Sequence, residues 1–332
     1  MTIERTDAFF DLKIPTENKK CRKSKMLPNR KEKGQSVALN KRIGVTWLQV
    51  RLKMRIEEVI SYLEQWAPPI LQESYDNSGL LVGNKQNEIT NALVSLDCTE
   101  DVVEEAIAKN CNLIVSHHPI VFNGLKRFTG EDYVQRTVIK AIQNNIALYA
   151  IHTNLDNTLE GVSGEIAKRL GLKNVRPLVP LVGFKSHPYE EEAQNMQTLQ
   201  NNLNQYGSGA IGELENAISL IDCLNILKKE FNNQCIKYTQ TNKSLIRKIA
   251  VCGGSGQFLL GAAKSEGADV FVTSDVKYHE FFDAENELSF IDIGHFESEQ
   301  FTIELIHAKI TEKFRTFAVH KTGVITNPVL YY

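Results

Sequence analysis

The sequence predicts an α/β protein built from two α/β halves with mostly parallel or mixed sheets. Short aliphatic or β-branched runs alternate with amphipathic helical segments between residues 54 and 171, and the same alternation returns from residue 248. Such alternation is typical of βαβ units. Residues 172–245 differ because they are rich in Asn, Gln and Pro. We interpret this stretch as a connector with partial structure.

The first half opens with a helix near Met54, where Ile56, Val59, Ile60 and Leu63 recur at helical spacing. The further elements of this half are strands at residues 80–82, 92–96, 113–115 and 147–151 and helices at residues 100–109, 133–144 and 161–170. We expect an N-terminal α/β lobe over residues 54–175.

The second half repeats this alternation after the connector. Its predicted elements are strands at residues 249–252, 270–273 and 290–293 and helices at residues 258–266 and 300–314. A helical stretch near residues 220–231 falls within the connector. We expect a connector over residues 176–245 and a C-terminal α/β lobe over residues 246–332.

Length and composition exclude several classes of protein. The chain has 332 residues, which at roughly 100–200 residues per domain allows two compact units or one large one. With 42% apolar and 23% charged residues it is neither collagen-like nor disulfide-dense. No uncharged apolar run approaches the ~18–20 residues of a spanning helix, so we expect no membrane partner. The six cysteines form no C-x-x-C pair and follow no export signal, which indicates a reducing, cytoplasmic setting.

The charge is distributed unevenly. Residues 1–53 hold 14 Lys and Arg against 5 Asp and Glu, whereas residues 54–332 hold 24 against 35. From Lys19 to Lys33 no apolar period survives, so the pattern predicts a disordered segment. A basic arm of this kind could bind nucleic acid or a membrane surface, or could be foreign to the fold.

Histidines and carboxylates cluster where predicted strands end. His117 and His118 follow the strand at residues 113–115, and His152 follows the strand at residues 147–151. His295 follows the strand at residues 290–293. In open parallel sheets, ligands bind beyond the carboxyl ends of the strands.

Two of these histidines have a carboxylate four residues later, Asp156 after His152 and Glu299 after His295. A helical turn would place both members of each pair on one side. The full set is too large for one tetrahedral zinc ion and suits two metal ions about 3.5–4 Å apart. Nitrogen and oxygen donors without thiolate favour Zn, Mn, Fe, Co or Ni over Ca. The predicted ligands are His117, His118, Asp156, His295 and Glu299, with His152 as a ligand or as a residue that orients one.

Three further features have two interpretations each. The loop Gly253-Gly254-Ser255-Gly256 follows a strand and could hold a phosphate on its free amides or form a tight turn. Asp97 could support the metal site or begin a helix. His279 could line the pocket, although an ordinary loop position is the simpler interpretation.

Seven segments together resemble the Nif-three-like family, whose members are also called GTP cyclohydrolase 1 type 2 homologues. They occur in the family's order across residues 54–332. The segments are Tyr75-Asp76-Asn77-Ser78-Gly79-Leu80, residues 116–119, His152-Thr153-Asn154-Leu155-Asp156-Asn157, residues 207–214, Cys252-Gly253-Gly254-Ser255-Gly256, residues 273–279 and residues 292–299.

The resemblance implies two related α/β lobes, a dinuclear metal site between them and a toroidal homohexamer. Many relatives carry an inserted domain between the lobes that is similar to a PII signalling protein, and residues 186–191 look like its remnant. Because residues 1–53 have no counterpart in the family, we expect them to be an extension that is not part of the fold. The family's ligands fall on His117, His118, Asp156, His295 and Glu299, with His152 nearby.

Two functions from different classes follow. The first is a hydrolase that uses two divalent ions per subunit and a metal-bridging water on a small molecule, for which a nucleotide such as GTP is a candidate. The second is a non-catalytic metal-binding or protein-interaction protein. Nucleic-acid binding is disfavoured because the folded part has a net charge of −11.

Overall fold

The computed structural model describes residues 53–181 and 203–332. Apart from Lys53, the predicted basic extension lies outside these residues, as does the predicted remnant at residues 186–191. Strands and helices alternate along most of the described chain, which confirms the α/β fold class. In the part of the chain that the structure describes, no helix has the length and apolarity needed to cross a bilayer.

The first sheet has five strands in the order β1-β4-β3-β2-β11. Strands β4, β3, β2 and β11 run parallel to one another, and β1 pairs with β4 in antiparallel fashion. The strands are β1 (Gly79–Val82), β2 (Ala92–Ser95), β3 (Leu113–Ser116), β4 (Ala147–Ala150) and β11 (Val319–Lys321).

The second sheet has six strands in the order β5-β6-β8-β9-β10-β7. Its centre, β8-β9-β10, is parallel, and the other pairings are antiparallel. The strands are β5 (Lys173–Pro180), β6 (Gly207–Ile218), β7 (Lys237–Tyr238), β8 (Ile246–Ser255), β9 (Val270–Ser274) and β10 (Ser289–Asp292).

Helices cover both faces of the sheets, and hydroxyl or carboxylate side chains cap several of them. Thr99 accepts from the backbone N–H of Val102, and Asp132 accepts from that of Gln135. The helices are α1 (Ile56–Trp66), α2 (Glu100–Ala108), α3 (Tyr133–Gln143), α4 (Thr153–Asp156), α5 (Val162–Arg169), α6 (Leu220–Glu230), α7 (Leu260–Ser265), α8 (His295–Glu299) and α9 (Thr302–Lys313).

Alternate residues of the central strands enter different cores. In β3, Leu113 and Val115 pack into a large core that also includes Val251 and Val272 of the second sheet. Ile114 points to the opposite face, into a core formed with α2 and α3. Because both sheets contribute to the large core, the two lobes share one hydrophobic interior, and the described residues cluster as one compact unit.

The strands depart from the predicted division of the chain in two places. The stretch interpreted as a connector contributes β5, β6 and β7 to the second sheet. Pro177 and Pro180 hid β5 from sequence analysis, because proline is tolerated in a strand only at a sheet edge, which is where β5 lies. The C-terminal β11 joins the first sheet beside β2 rather than the second. The paired residues are more than 200 positions apart in the sequence. Strand β11 has only three residues, which are too few to show a periodic pattern.

Candidate metal centre

Three parallel strands of the first sheet carry polar side chains at their carboxyl ends. Asp97 lies two residues after β2, His117 and His118 follow β3, and His152 lies between β4 and α4. The in-register pairing of β2, β3 and β4 brings these residues to one edge. Asp156 closes the short helix α4 on the same side.

The second sheet supplies the opposite side. His295 and Glu299 lie at the two ends of α8, which follows β10, and Asp275 follows β9. Gly254 of β8 has φ +60°, and a β-carbon there would collide with Oε1 of Glu299. Glycine at this position therefore leaves the space that the Glu299 carboxylate fills.

Two groups of donor atoms meet between these edges. Donor atoms of His117, His118 and His152 lie within 4.8 Å of one another, as do those of His118, His295 and Glu299. His118 belongs to both groups, so the groups are adjacent. Each could hold a metal ion.

Every histidine of the two groups has its Nδ1 atom engaged by an oxygen. A ring that donates its Nδ1–H in this way keeps a lone pair on Nε2, which is the arrangement of metal-binding histidines. The pairs are His117 with the carbonyl of Ile151 (2.8 Å), His118 with Asp97 (2.7 Å), His152 with Asp76 (2.7 Å) and His295 with Asp275 (2.7 Å).

The inward-facing atoms of the second group lie within hydrogen-bond distance of one another. Nε2 of His118 lies 3.3 Å from Nε2 of His295, and Oε2 of Glu299 lies 2.9 Å from the former and 3.0 Å from the latter. Among the described residues, Nε2 of His117 and Oδ1 of Asp156 are buried without a hydrogen-bond partner, 3.6 Å apart. Ring nitrogens this close to a carboxylate, and buried polar atoms without a partner, are unfavourable unless protons or metal cations lie among them. The donor set therefore fits divalent metal ions.

The carboxylates make this region favourable for positive charge. Burial opposes protonation of His118, but the hydrogen bonds to Asp97 and Glu299 outweigh it and raise the pKa of His118 to about 10. His295 behaves in the same way, because burial is outweighed by the charge of Glu299 and the hydrogen bond to Asp275, and its pKa rises to about 11. A metal cation at this point experiences the same attraction as these protons.

The pKa values of the two buried carboxylates, Asp156 and Glu299, shift in opposite directions. Burial, and then the negative charge of Glu299, raise the pKa of Asp156. Burial acts in the same direction on Glu299, but the charge of His295 and the hydrogen bonds from the histidines prevail and hold its pKa well below the usual range. Glu299 is thus the more firmly ionised of the pair.

A cavity of about 650 Å³ opens onto His118, His152 and His295. Its walls include the apolar side chains of Phe122 and Val329. The volume lies within the range of small-molecule sites, which are typically mostly apolar with a few directed polar groups. A ligand in this cavity would contact the open side of the donor groups.

The structure brings all six residues predicted from the sequence to one place. The ring centroid of His152 lies 5.3 Å from that of His117 and 5.4 Å from that of His118. His152 therefore belongs to the same donor group as these two histidines. Asp97 supports His118, and Thr99 caps the following helix instead.

Two of the weaker sequence hypotheses are not supported. The backbone N–H groups of Gly253, Gly254 and Gly256 donate to hydroxyl oxygens within the protein, on Ser163, Ser298 and Thr273 respectively, so they are not free to hold a phosphate. His279 is exposed and does not line the cavity.

Sequence analysis missed Asp76 and Asp275 as partners of the histidines. Asp76 lies in a turn before β1 and reaches His152 because β1 pairs with β4, a contact that no local spacing encodes. Asp275 directly follows β9 with φ +58°. Its place after a predicted strand was an available signal, since the same argument selected Asp97.

Comparisons with known proteins agree with the fold. Residues 54–328 match the family model Duf34/NIF3 (NGG1p interacting factor 3). A Clostridium acetobutylicum protein named GTP cyclohydrolase 1 type 2 homolog is 32% identical over 280 residues, which cover 84% of this chain and 96% of that protein.

Solved structures show the same similarity. The crystal structure of a Staphylococcus aureus hypothetical protein aligns with a TM-score of 0.74 and 31% identity, covering 84% of this chain and 99% of that one. A Bacillus cereus protein related to NIF3 aligns with a TM-score of 0.73 and 25% identity, covering 84% and 100%. The chain therefore belongs to the Duf34/NIF3 family.

Proposed function

We propose that this protein is a hydrolase that uses two divalent metal ions. The observation that carries the proposal is the convergence of His118, His295 and Glu299, whose acceptor atoms lie 2.9–3.3 Å apart with the outer ring nitrogens already engaged. The proposed ligands are His117, His118, His152, Asp156, His295 and Glu299.

The residues of this chain determine which ions fit. Nitrogen and carboxylate donors suit Zn, Mn, Fe, Co or Ni. Neither donor group contains a thiol, and burial raises the pKa of the Cys252 thiol nearby. When bound, two such ions supply Lewis-acid polarisation of a substrate and lower the pKa of a water molecule toward neutrality.

The open cavity supports catalysis over a purely structural metal site. Structural sites are closed by protein ligands on all sides, whereas catalytic sites keep a position open to substrate. Here the cavity reaches three of the proposed ligands. The name of the curated relatives makes GTP the first substrate to test. The glycine loop at residues 253–256 adds no support for a phosphate-bearing substrate, because its amides are engaged.

The test combines metal content with turnover. Protein purified without added metal is analysed for elements, loaded with Zn, Mn, Fe, Co or Ni, and screened against nucleotides, phosphoesters and small amides. We expect two ions per chain and a turnover that His118→Ala and Glu299→Ala both abolish. His279→Ala is the matched control, because it removes an exposed histidine outside both donor groups.

The outcomes separate the two functions proposed from the sequence. Turnover that survives in both variants contradicts the proposal. Two tightly held ions without turnover on any substrate favour the non-catalytic metal-binding role. The homohexamer and the cytoplasmic setting stay predictions, which sedimentation velocity and microscopy of the tagged protein can test.

A further inference from the structure

The segment of residues 322–331 runs along the site without helix or strand. It begins where β11 ends, and Thr322 and Gly323 donate to the carboxylate of Glu105 there. Further on, Asn327 and Tyr331 line the cavity that opens onto the donor groups. The segment thus extends from the first sheet to the cavity.

One residue of this segment connects it to the donor groups. Oγ1 of Thr326 donates to Oδ2 of Asp97 at 2.5 Å, and Oδ1 of Asp97 accepts from Nδ1 of His118 at 2.7 Å. His118 is the residue that both donor groups share. A single line of hydrogen bonds therefore links residues 322–331 to the centre of the site.

Val324 packs against the core formed with α2 and α3, and polar contact holds the segment beyond it. Ile325 is 80% exposed and Leu330 is 91% exposed, so neither contributes a buried anchor. Asn327 approaches Glu297 only at 3.5 Å, which is too long for a strong hydrogen bond. The Thr326 hydroxyl therefore makes the short side-chain contact between this stretch and the site.

We propose that Thr326 is a positioning residue that fixes the orientation of His118 through Asp97. This inference rests on the proposed metal-binding function. One oxygen of the Asp97 carboxylate is held by Thr326 and the other by His118. These two contacts fix the plane of the carboxylate and its distance from the His118 ring. Without the hydroxyl, the carboxylate of Asp97, whose side chain is 34% exposed, can rotate, and the ring of His118 loses its fixed direction.

The test measures metal affinity in the full chain. Thr326→Val removes the hydroxyl at nearly constant shape, and Thr326→Ser keeps it. The dissociation constants of Zn²⁺ and Co²⁺ are measured by competition with a chromophoric chelator, and the visible absorption of bound Co²⁺ reports ligand geometry. Thr322→Val is the matched control, because it removes a threonine-to-carboxylate bond of the same segment away from the site.

We expect Thr326→Val to weaken metal binding by about tenfold and to change the Co²⁺ spectrum, since groups that orient ligating histidines typically contribute 10–100-fold. Thr326→Ser is expected to restore both properties, and Thr322→Val to leave both unchanged. In an Asp97→Ala background, Thr326→Val is expected to cause no additional loss, because both changes interrupt one line of bonds.

The failure of this inference is distinguishable from that of the proposed function. If the wild-type chain binds two ions and Thr326→Val binds them with equal affinity and an equal spectrum, the positioning role is refuted. Additive losses in the double variant refute it as well. If the wild-type chain binds no metal, the proposed function fails first and this inference fails with it.

Discussion

Substituting Gly254 by alanine tests whether the Glu299 carboxylate is held where the structure shows it. Gly254 has φ +60°, and its new methyl group would collide with Oε1 of Glu299. Gly267→Ala provides the matched control, because Gly267 has φ +69° and nothing lies within 4 Å of a β-carbon there. Both substitutions impose the same backbone strain, and only the first displaces the carboxylate.

The shared strain is about 1–2 kcal/mol, the cost of placing an L-residue in the left-handed region. At Gly254 the displaced carboxylate also weakens its contacts to His118 and His295, and charge-assisted hydrogen bonds contribute about 1.5–3 kcal/mol each. Because Glu299 can adjust partly, we expect Gly254→Ala to lower the free energy of unfolding by about 2 kcal/mol more than Gly267→Ala.

Metal ions should increase the difference in free energy of unfolding between Gly254→Ala and Gly267→Ala. A ligand at one hundred times its dissociation constant stabilises the folded state by about 2.7 kcal/mol. We expect urea unfolding to show this gain in the wild type and in Gly267→Ala, and a reduced gain in Gly254→Ala because one donor group loses Glu299. If Gly254→Ala binds two ions and gains as much stability from metal as Gly267→Ala, Glu299 is not a ligand and the reasoning is wrong.

Three further predictions concern the donor groups, the cysteines and the core. His117→Ala should retain one tightly bound ion, because the group of His118, His295 and Glu299 does not include His117, and equilibrium dialysis counts the ions. Retention of two ions would show that His117 is not needed. Iodoacetamide at pH 8 should label the exposed Cys235 in the native protein but not Cys98, because burial raises the pKa of the Cys98 thiol to about 12. Peptide mass spectrometry identifies the labelled cysteine, and early labelling of Cys98 would contradict its burial. Leu93→Ala in β2 should lower the free energy of unfolding by about 2–5 kcal/mol, whereas the exposed Ile325→Ala should change it by less than about 0.5 kcal/mol in the same urea titration.

Most elements of the fold were predictable because their signals are local. The alternation of buried residues in β3 and the helical spacing of Ile56, Val59 and Leu63 can be recognised within a few residues of sequence. Strands β5 and β6 escaped because their prolines and glycines resemble loop composition. Their strand character follows from antiparallel pairing with each other and with β8, which supplies the missing hydrogen bonds.

The sequence by itself determined which side chains are candidates for metal binding. Parallel strands present their carboxyl ends at one edge, so His117, His118, His152 and His295 could be selected from their positions after predicted strands. Tertiary structure alone decided that the edges of two different sheets face each other and that His118 is shared between two donor groups.

Tertiary structure also supplied the partners that orient the histidines. Asp76 reaches His152 from 76 residues away, and Thr326 reaches Asp97 from 229 residues away. Periodicity reports the environment of a residue relative to its neighbours along the chain, whereas these contacts depend on which distant strands pair. Burial of both faces of each sheet decides that pairing, and it becomes visible only once the chain is folded.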